Sequence, residues 1–82
     1  MSTAAHPMTT LDQLRPGARA RVTRLAADGV LGQRLGEMGL VEGATIRVVR
    51  AAPLGDPLEI ELQDYLLSLR RAEARCVEVS QV

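Results

Sequence analysis

LEIELQDYLLSL, residues 58–69, is the stretch of sequence that decides the fold. Leu58, Ile60 and Leu62 alternate with glutamates, and a period of two indicates a strand with one buried and one exposed face. The alternation resumes at residues 65–69, after a Gln63-Asp64 turn in which Asp tolerates positive φ better than most residues. The stretch therefore predicts a β-hairpin.

Leu66 interrupts the polar face of this hairpin. If Tyr65, Leu67 and Leu69 point inward, the period of two turns Leu66 outward, beside Ser68. Exposed apolar side chains that join into a patch mark contact surfaces. We therefore expect Leu66 to serve self-association or partner docking, in a patch with Leu54, rather than stability.

A loop is predicted immediately before the hairpin, because residues 51–57 (AAPLGDP) hold two prolines and a glycine. Leu54 stands between Pro and Gly, where it is hard to bury. The loop is either a rigid connector or a docking tip that displays Leu54 on a stiff backbone. Both interpretations stay open on the sequence alone.

Further out, alternation at residues 18–25 and 45–49, and at Val77 and Val79, predicts three more strands. Asp28 is expected to cap a helix that ends where Gly39 adopts a left-handed conformation. The helix carries its apolar side chains at i, i+4 and i+7 on one face; they are Leu31, Leu35 and Met38.

Together these elements predict a mainly β fold, a small SH3-like barrel of about five short strands with one helix between the first two. A ferredoxin-like sandwich is the alternative, but it needs two full helices. Residues 1–9 lack any period and are expected to be a disordered leader, and residues 10–82 to be one domain.

Composition excludes several common functions of small barrels. Ten Arg, with no Lys, balance ten acidic residues, so the chain lacks the positive field that attracts nucleic acid. One Tyr, with no Phe or Trp, cannot form an aromatic groove for Pro-rich peptides or a base-stacking platform. A single Cys, no signal pattern and no long apolar run predict a cytoplasmic protein without membrane insertion.

No catalytic or cofactor site is expected. His6 is the only histidine, no Lys is present, and Cys76 lies in a strand pattern where it is expected to be a small buried hydrophobe. Glu59 and Glu61 lack the further ligands that a cation needs, and the glycines form no phosphate-binding motif. We expect no enzyme, no metal and no cofactor.

Three segments resemble FeoA proteins: LDQLRPG at residues 11–17, QRLGEMGLVEG at 33–43 and APLGDP at 52–57. The resemblance covers residues 11–79, with departures at Gly32, Gly36 and Asp64. It implies an SH3-like barrel that acts with the membrane permease FeoB, whose cytoplasmic end carries a GTP-binding domain, in ferrous iron import.

The resemblance implies that the helix and the Pro-rich loop contact FeoB. The residues expected to bind a partner, from the helix, the loop and the hairpin, are Arg34, Met38, Leu54, Gly55, Asp56 and Leu66. Weak self-association is a further possibility. The alternative is a free-standing regulatory or metal-sensing barrel related to the C-terminal domain of DtxR-type repressors, and the effect on GTP hydrolysis is left open.

Overall fold

Six strands, two helices and a 3₁₀ turn make up the computed structural model, which describes residues 8–82. In chain order they are β1 (Met8–Thr10), the 3₁₀ turn (Leu11–Gln13), β2 (Arg19–Leu25), α1 (Gly29–Glu37), β3 (Thr45–Ala51), β4 (Leu58–Leu62), β5 (Tyr65–Leu69), α2 (Arg71–Ala74) and β6 (Val77–Gln81).

The strands form one antiparallel sheet in the order β1-β6-β2-β3-β4-β5, so β1 and β5 are its two edges. The register shifts between Val22 and Arg24 in β2 and between Val48 and Arg50 in β3, and such bulges bend a strand. Buried side chains from β2 to β6 share one core, so the sheet must curl around it.

The hairpin forms as its sequence predicts. Leu58, Ile60 and Leu62 are buried, and β4 pairs with β5 along its whole length. The left-handed residue of the turn is Gln63, with φ 57°, and not Asp64. Tyr65 is 46% exposed instead of buried, because its hydroxyl reaches out to donate to the Met38 carbonyl at 2.6 Å.

The mainly β prediction is confirmed, but the strand count was one too low. Met8 and Thr9, assigned to the leader, lie in β1 and pair with Ser80 and Val79 of β6. Three residues are too short to show a period, so the pattern gave no signal for this strand. The helix consequently lies between the second and third strands. The leader prediction for residues 1–7 falls outside the described residues.

Helix α1 ends as predicted. Gly39 has φ +102°, its N–H donates to the Gly36 carbonyl at 3.0 Å, and the Leu40 N–H donates to the Leu35 carbonyl at 3.2 Å. These are the two hydrogen bonds of a Schellman motif. Asp28 occupies the N-cap position, but its side chain makes no capping hydrogen bond.

Candidate functional site

The loop at residues 52–57 is closed by its own backbone. The Ala52 N–H donates to the Pro57 carbonyl at 3.0 Å, and the Gly55 N–H donates to the Ala52 carbonyl at 2.6 Å. Because the loop joins β3 to β4, its two ends are also fixed by the sheet. The loop is therefore a braced turn and not a slack connector.

Arg71 fastens this loop to the rest of the molecule. Its guanidinium donates to the Gly55 carbonyl and, at 2.6 Å, to the Asp12 carbonyl of the 3₁₀ turn. Its backbone N–H donates to the Asp56 carboxylate at 3.0 Å. Two of the predicted contact residues, Gly55 and Asp56, are thus used within the chain to hold the loop.

Leu54 is displayed at the tip of the braced loop. Its side chain is 96% exposed, the highest value among the large apolar residues of the described chain. A leucine held out on an ordered backbone loses little further backbone entropy when it enters a partner's pocket. The geometry therefore suits the docking-tip interpretation of the loop.

Two neighbouring concavities lie beside the loop and share Pro57 and Ser68. The larger, of about 540 Å³, is bordered by the strand β3 end, the loop and Glu59. The other, of about 380 Å³, is called the α1 groove here, because Arg34 of α1 and Met38, which follows α1, border it; its lining residues are Arg34, Met38, Pro57, Ser68, Arg70 and Glu73. Arg34 and Met38 thus line the same groove as Pro57 of the loop.

Charges around the α1 groove are mostly paired. Arg34 forms an ion pair with Glu73, which also accepts the Arg70 N–H at 3.0 Å. On the outer face, Arg50 pairs with Glu59 at 2.6 Å and Arg47 with Glu61 at 2.9 Å. Such exposed pairs each contribute less than about 1 kcal/mol. They nevertheless leave Glu59 and Glu61 of β4 each paired with an arginine.

Leu66 points outward, as predicted, and is 55% exposed. It pairs across the strands with Glu61 and lines neither concavity. The structure therefore does not place it with Arg34 and Met38. The expected common patch of Leu54 and Leu66 stays a prediction.

Sequence reasoning missed Asp12 and Arg71, which anchor the loop. Asp12 is 6% exposed and accepts hydrogen bonds from the Thr10 hydroxyl and the Gln13 amide, the latter at 3.3 Å. One signal was available: a hydroxyl residue two positions before an Asp at the start of a helical turn is typical of local side-chain hydrogen bonding. No signal marked Arg71 among ten arginines.

Other chemistry is limited in the part of the chain that the structure describes. Residues 8–82 contain no group of three or more His, Cys, Asp or Glu placed to hold a metal ion. Cys76 is half-buried rather than fully buried, with its Sγ 3.7 Å from the Ala72 carbonyl oxygen. No helix among these residues is long and apolar enough to cross a membrane.

Comparison with known proteins gives one consistent result. The FeoA domain family model matches residues 9–81. A Fe(2+) transport protein A/Fe(2+) transporter FeoB fusion protein of Porphyromonas gingivalis is 43% identical over 72 residues, which are 88% of this chain. The chain spans only 8% of the length of that relative.

Solved structures agree with the family match. FeoA of Chlorobium tepidum is 43% identical with a TM-score of 0.84, over 90% of this chain and 70% of that one. Zinc-complexed FeoA of Stenotrophomonas maltophilia is described as a prokaryotic SH3 domain protein. It is 32% identical with a TM-score of 0.79, over 90% of this chain and 95% of that one. The predicted SH3-like architecture is therefore found in FeoA structures that this chain superimposes on.

The same fold occurs in a different class of protein. A manganese-dependent transcriptional repressor has a TM-score of 0.84 at 18% identity, over 96% of this chain and 44% of that one. At this identity the likeness concerns the fold alone.

Proposed function

The chain belongs to the FeoA family, and on that premise we propose that it is an accessory protein of ferrous iron uptake that binds the cytoplasmic side of a FeoB-type permease. The observation that carries this proposal is the fusion protein in which a segment 43% identical to this chain is joined to FeoB. Fusion gives two associating modules a high effective concentration. When they are separate chains, a binding surface has to provide the association.

The surface proposed for this contact is the Leu54 tip with the neighbouring α1 groove. Leu54 offers an apolar side chain on a braced loop, and it is 96% exposed in the free chain. Most of the binding energy of an interface comes from a few side chains that become buried in the complex. Met38 adds an adaptable thioether at the groove wall. Arg34 also lines the groove, but it is paired with Glu73 of the same groove, so the proposed contact rests on the apolar side chains.

The proposed role is binding and not catalysis, in the cytoplasm and without a cofactor. Polar side chains of the loop and of the α1 groove are engaged within the chain: Asp56 accepts the Arg71 N–H, and Arg34 pairs with Glu73. Side chains committed to structural contacts are poor candidates for general acids or bases. In this account, GTP hydrolysis and iron transport belong to the permease.

The alternative is a metal-sensing barrel, and a metal titration separates the two. Its support is the shared fold with a manganese-dependent repressor at 18% identity, which says nothing about ligands. We expect calorimetry of the isolated protein with Fe²⁺ under anaerobic conditions, or with Mn²⁺, to show no stoichiometric sub-micromolar site. A tight site would favour the sensor and contradict the accessory role as stated here.

Ferrous iron uptake by cells tests the proposed function. Cells that contain the permease but lack their own FeoA would receive the wild-type chain, the Leu54→Asp variant or the Val82→Asp variant. Val82 is a matched control because it is also apolar and exposed, at 59%, but follows β6, which lies beyond β2 and β3 from the loop.

We expect Leu54→Asp to lower uptake to the level of cells without the chain, whereas Val82→Asp keeps the wild-type rate. Equal uptake with and without the wild-type chain would overturn the proposed function. Equal uptake with wild type and Leu54→Asp would overturn the assignment of the tip.

A further inference from the structure

The outer edge of β5 carries unpaired backbone groups. Val48 of β3 accepts the Gly17 N–H at 2.7 Å and donates its own N–H to the Ala18 carbonyl at 2.9 Å. Its neighbour in β4, Ile60, therefore directs its backbone groups the other way, toward Leu67 of β5. Since these directions alternate along a strand, the N–H and C=O of Leu66 and Ser68 point away from the sheet.

This edge lacks the features that usually prevent strand pairing. Proteins protect edge strands with charges, prolines, bulges or very short length. Strand β5 reads YLLSL over five residues, with no charge and no proline, and pairs with β4 without a register shift. Leu66 and Ser68 are both exposed. The opposite edge, β1, is only three residues long.

We propose that two copies of this chain associate by antiparallel pairing of their β5 edges around a two-fold axis at Leu67. In this register, Leu66 of one copy lies opposite Ser68 of the other, and each free N–H meets a free C=O. Leu67 is the central residue of β5, so this axis uses the full length of the strand. A two-fold contact also ends the assembly at two copies, because the β5 edge of each copy is then paired.

Charge complementarity specifies the occupant and the register. Continuing the pairing outward places Arg70 of each copy opposite Asp64 of the other. Both side chains are exposed, and neither has an ion-pair partner among residues 8–82. A two-fold axis at Leu66 would instead pair Ser68 with Asp64 of the turn. It would also place Arg70 opposite Leu62, which carries no charge. The central axis is therefore favoured.

The C-terminal end of β5 borders an open concavity. Ser68 and Arg70 line the α1 groove of about 380 Å³, so the space beside the strand end is open. At Arg70 the backbone is already satisfied, because its N–H donates to Glu73 and its carbonyl accepts the Glu73 N–H. The backbone pairing thus ends at β5, and only side chains meet beyond it.

Sedimentation equilibrium of the purified full chain, from micromolar to millimolar concentration, tests this proposal. We expect a monomer-dimer equilibrium that Ser68→Pro abolishes, since proline removes an edge N–H that bonds nothing within the sheet. Thermal unfolding of the same variant checks that it is folded. A wild-type chain that remains a monomer throughout, or a folded Ser68→Pro variant that still dimerises, would overturn the proposal.

A charge exchange tests the register independently of the proline. Arg70→Asp and Asp64→Arg should each weaken dimerisation about tenfold or more, because two exposed ion pairs become like-charge contacts. The double variant should recover wild-type affinity. Glu42→Arg is the matched control, since Glu42 is exposed and lies outside β5. Single reversals that match this control, or no recovery in the double variant, would overturn the axis at Leu67.

Discussion

Gly39 meets two separate requirements at one residue. Its φ of +102° is unfavourable for any residue with a Cβ, and an added Cβ would lie 2.9 Å from Leu62 Cδ2 and 3.0 Å from the Tyr65 hydroxyl. Leu62 is fully buried, so it has little room to move. Gly39→Val is therefore expected to lower the free energy of unfolding by at least about 1 kcal/mol. An unchanged urea midpoint would contradict this explanation of how α1 ends.

The two glycines inside α1 look alike in the sequence but differ in the structure. A Cβ on Gly32 would overlap the Ala27 carbonyl oxygen, whereas a Cβ on Gly36 would meet nothing within 4 Å. Gly36→Ala should therefore raise stability by up to about 1 kcal/mol through helix propensity, and Gly32→Ala should lower it. Urea denaturation of both variants measures the difference. Equal effects of the two substitutions would be inconsistent with the close approach at Gly32.

At the scale of an element, the loop at residues 52–57 depends on Arg71. Lys at this position keeps the charge but cannot donate to two carbonyls in a fixed fork. We expect Arg71→Lys to lower stability by about 1 to 2 kcal/mol and to speed amide hydrogen exchange at Gly55, whose carbonyl Arg71 contacts.

Arg15→Lys is the control for this measurement. The Arg15 side chain is exposed and forms no ion pair with the described residues. Its substitution should leave Gly55 exchange unchanged. If Arg71→Lys also left that exchange unchanged, the loop would owe its order to the Asp56 contact with the Arg71 backbone, which both side chains permit.

Elements with a clear period were predictable, and those held by long-range contacts were not. The hairpin and the end of α1 follow from local patterns: the alternation at Leu58 to Leu62 and the glycine at position 39. Strand β1 exists because β6 is there to pair with Met8 and Thr9. No local pattern of three residues can report a partner that lies seventy positions away in sequence.

At the scale of the whole molecule, the fold class and the family could be predicted, while the site could be predicted only in part. Exposure of Leu54 and Leu66 follows from flanking residues and from period two. The roles of Gly55 and Asp56 as anchors could not be foreseen, because they depend on Arg71, which lies fifteen or more positions further along the chain and contacts both the loop and the 3₁₀ turn.

Direct titration of the purified protein into the cytoplasmic part of a FeoB-type permease tests the central claim, and isothermal calorimetry measures it without a label. The account predicts saturable binding by the wild-type chain, a loss of at least about tenfold in affinity for Leu54→Asp because a hot-spot anchor is removed, and wild-type affinity for Val82→Asp. Absence of binding by the folded wild-type chain, or binding of Leu54→Asp as tight as that of Val82→Asp, would contradict it.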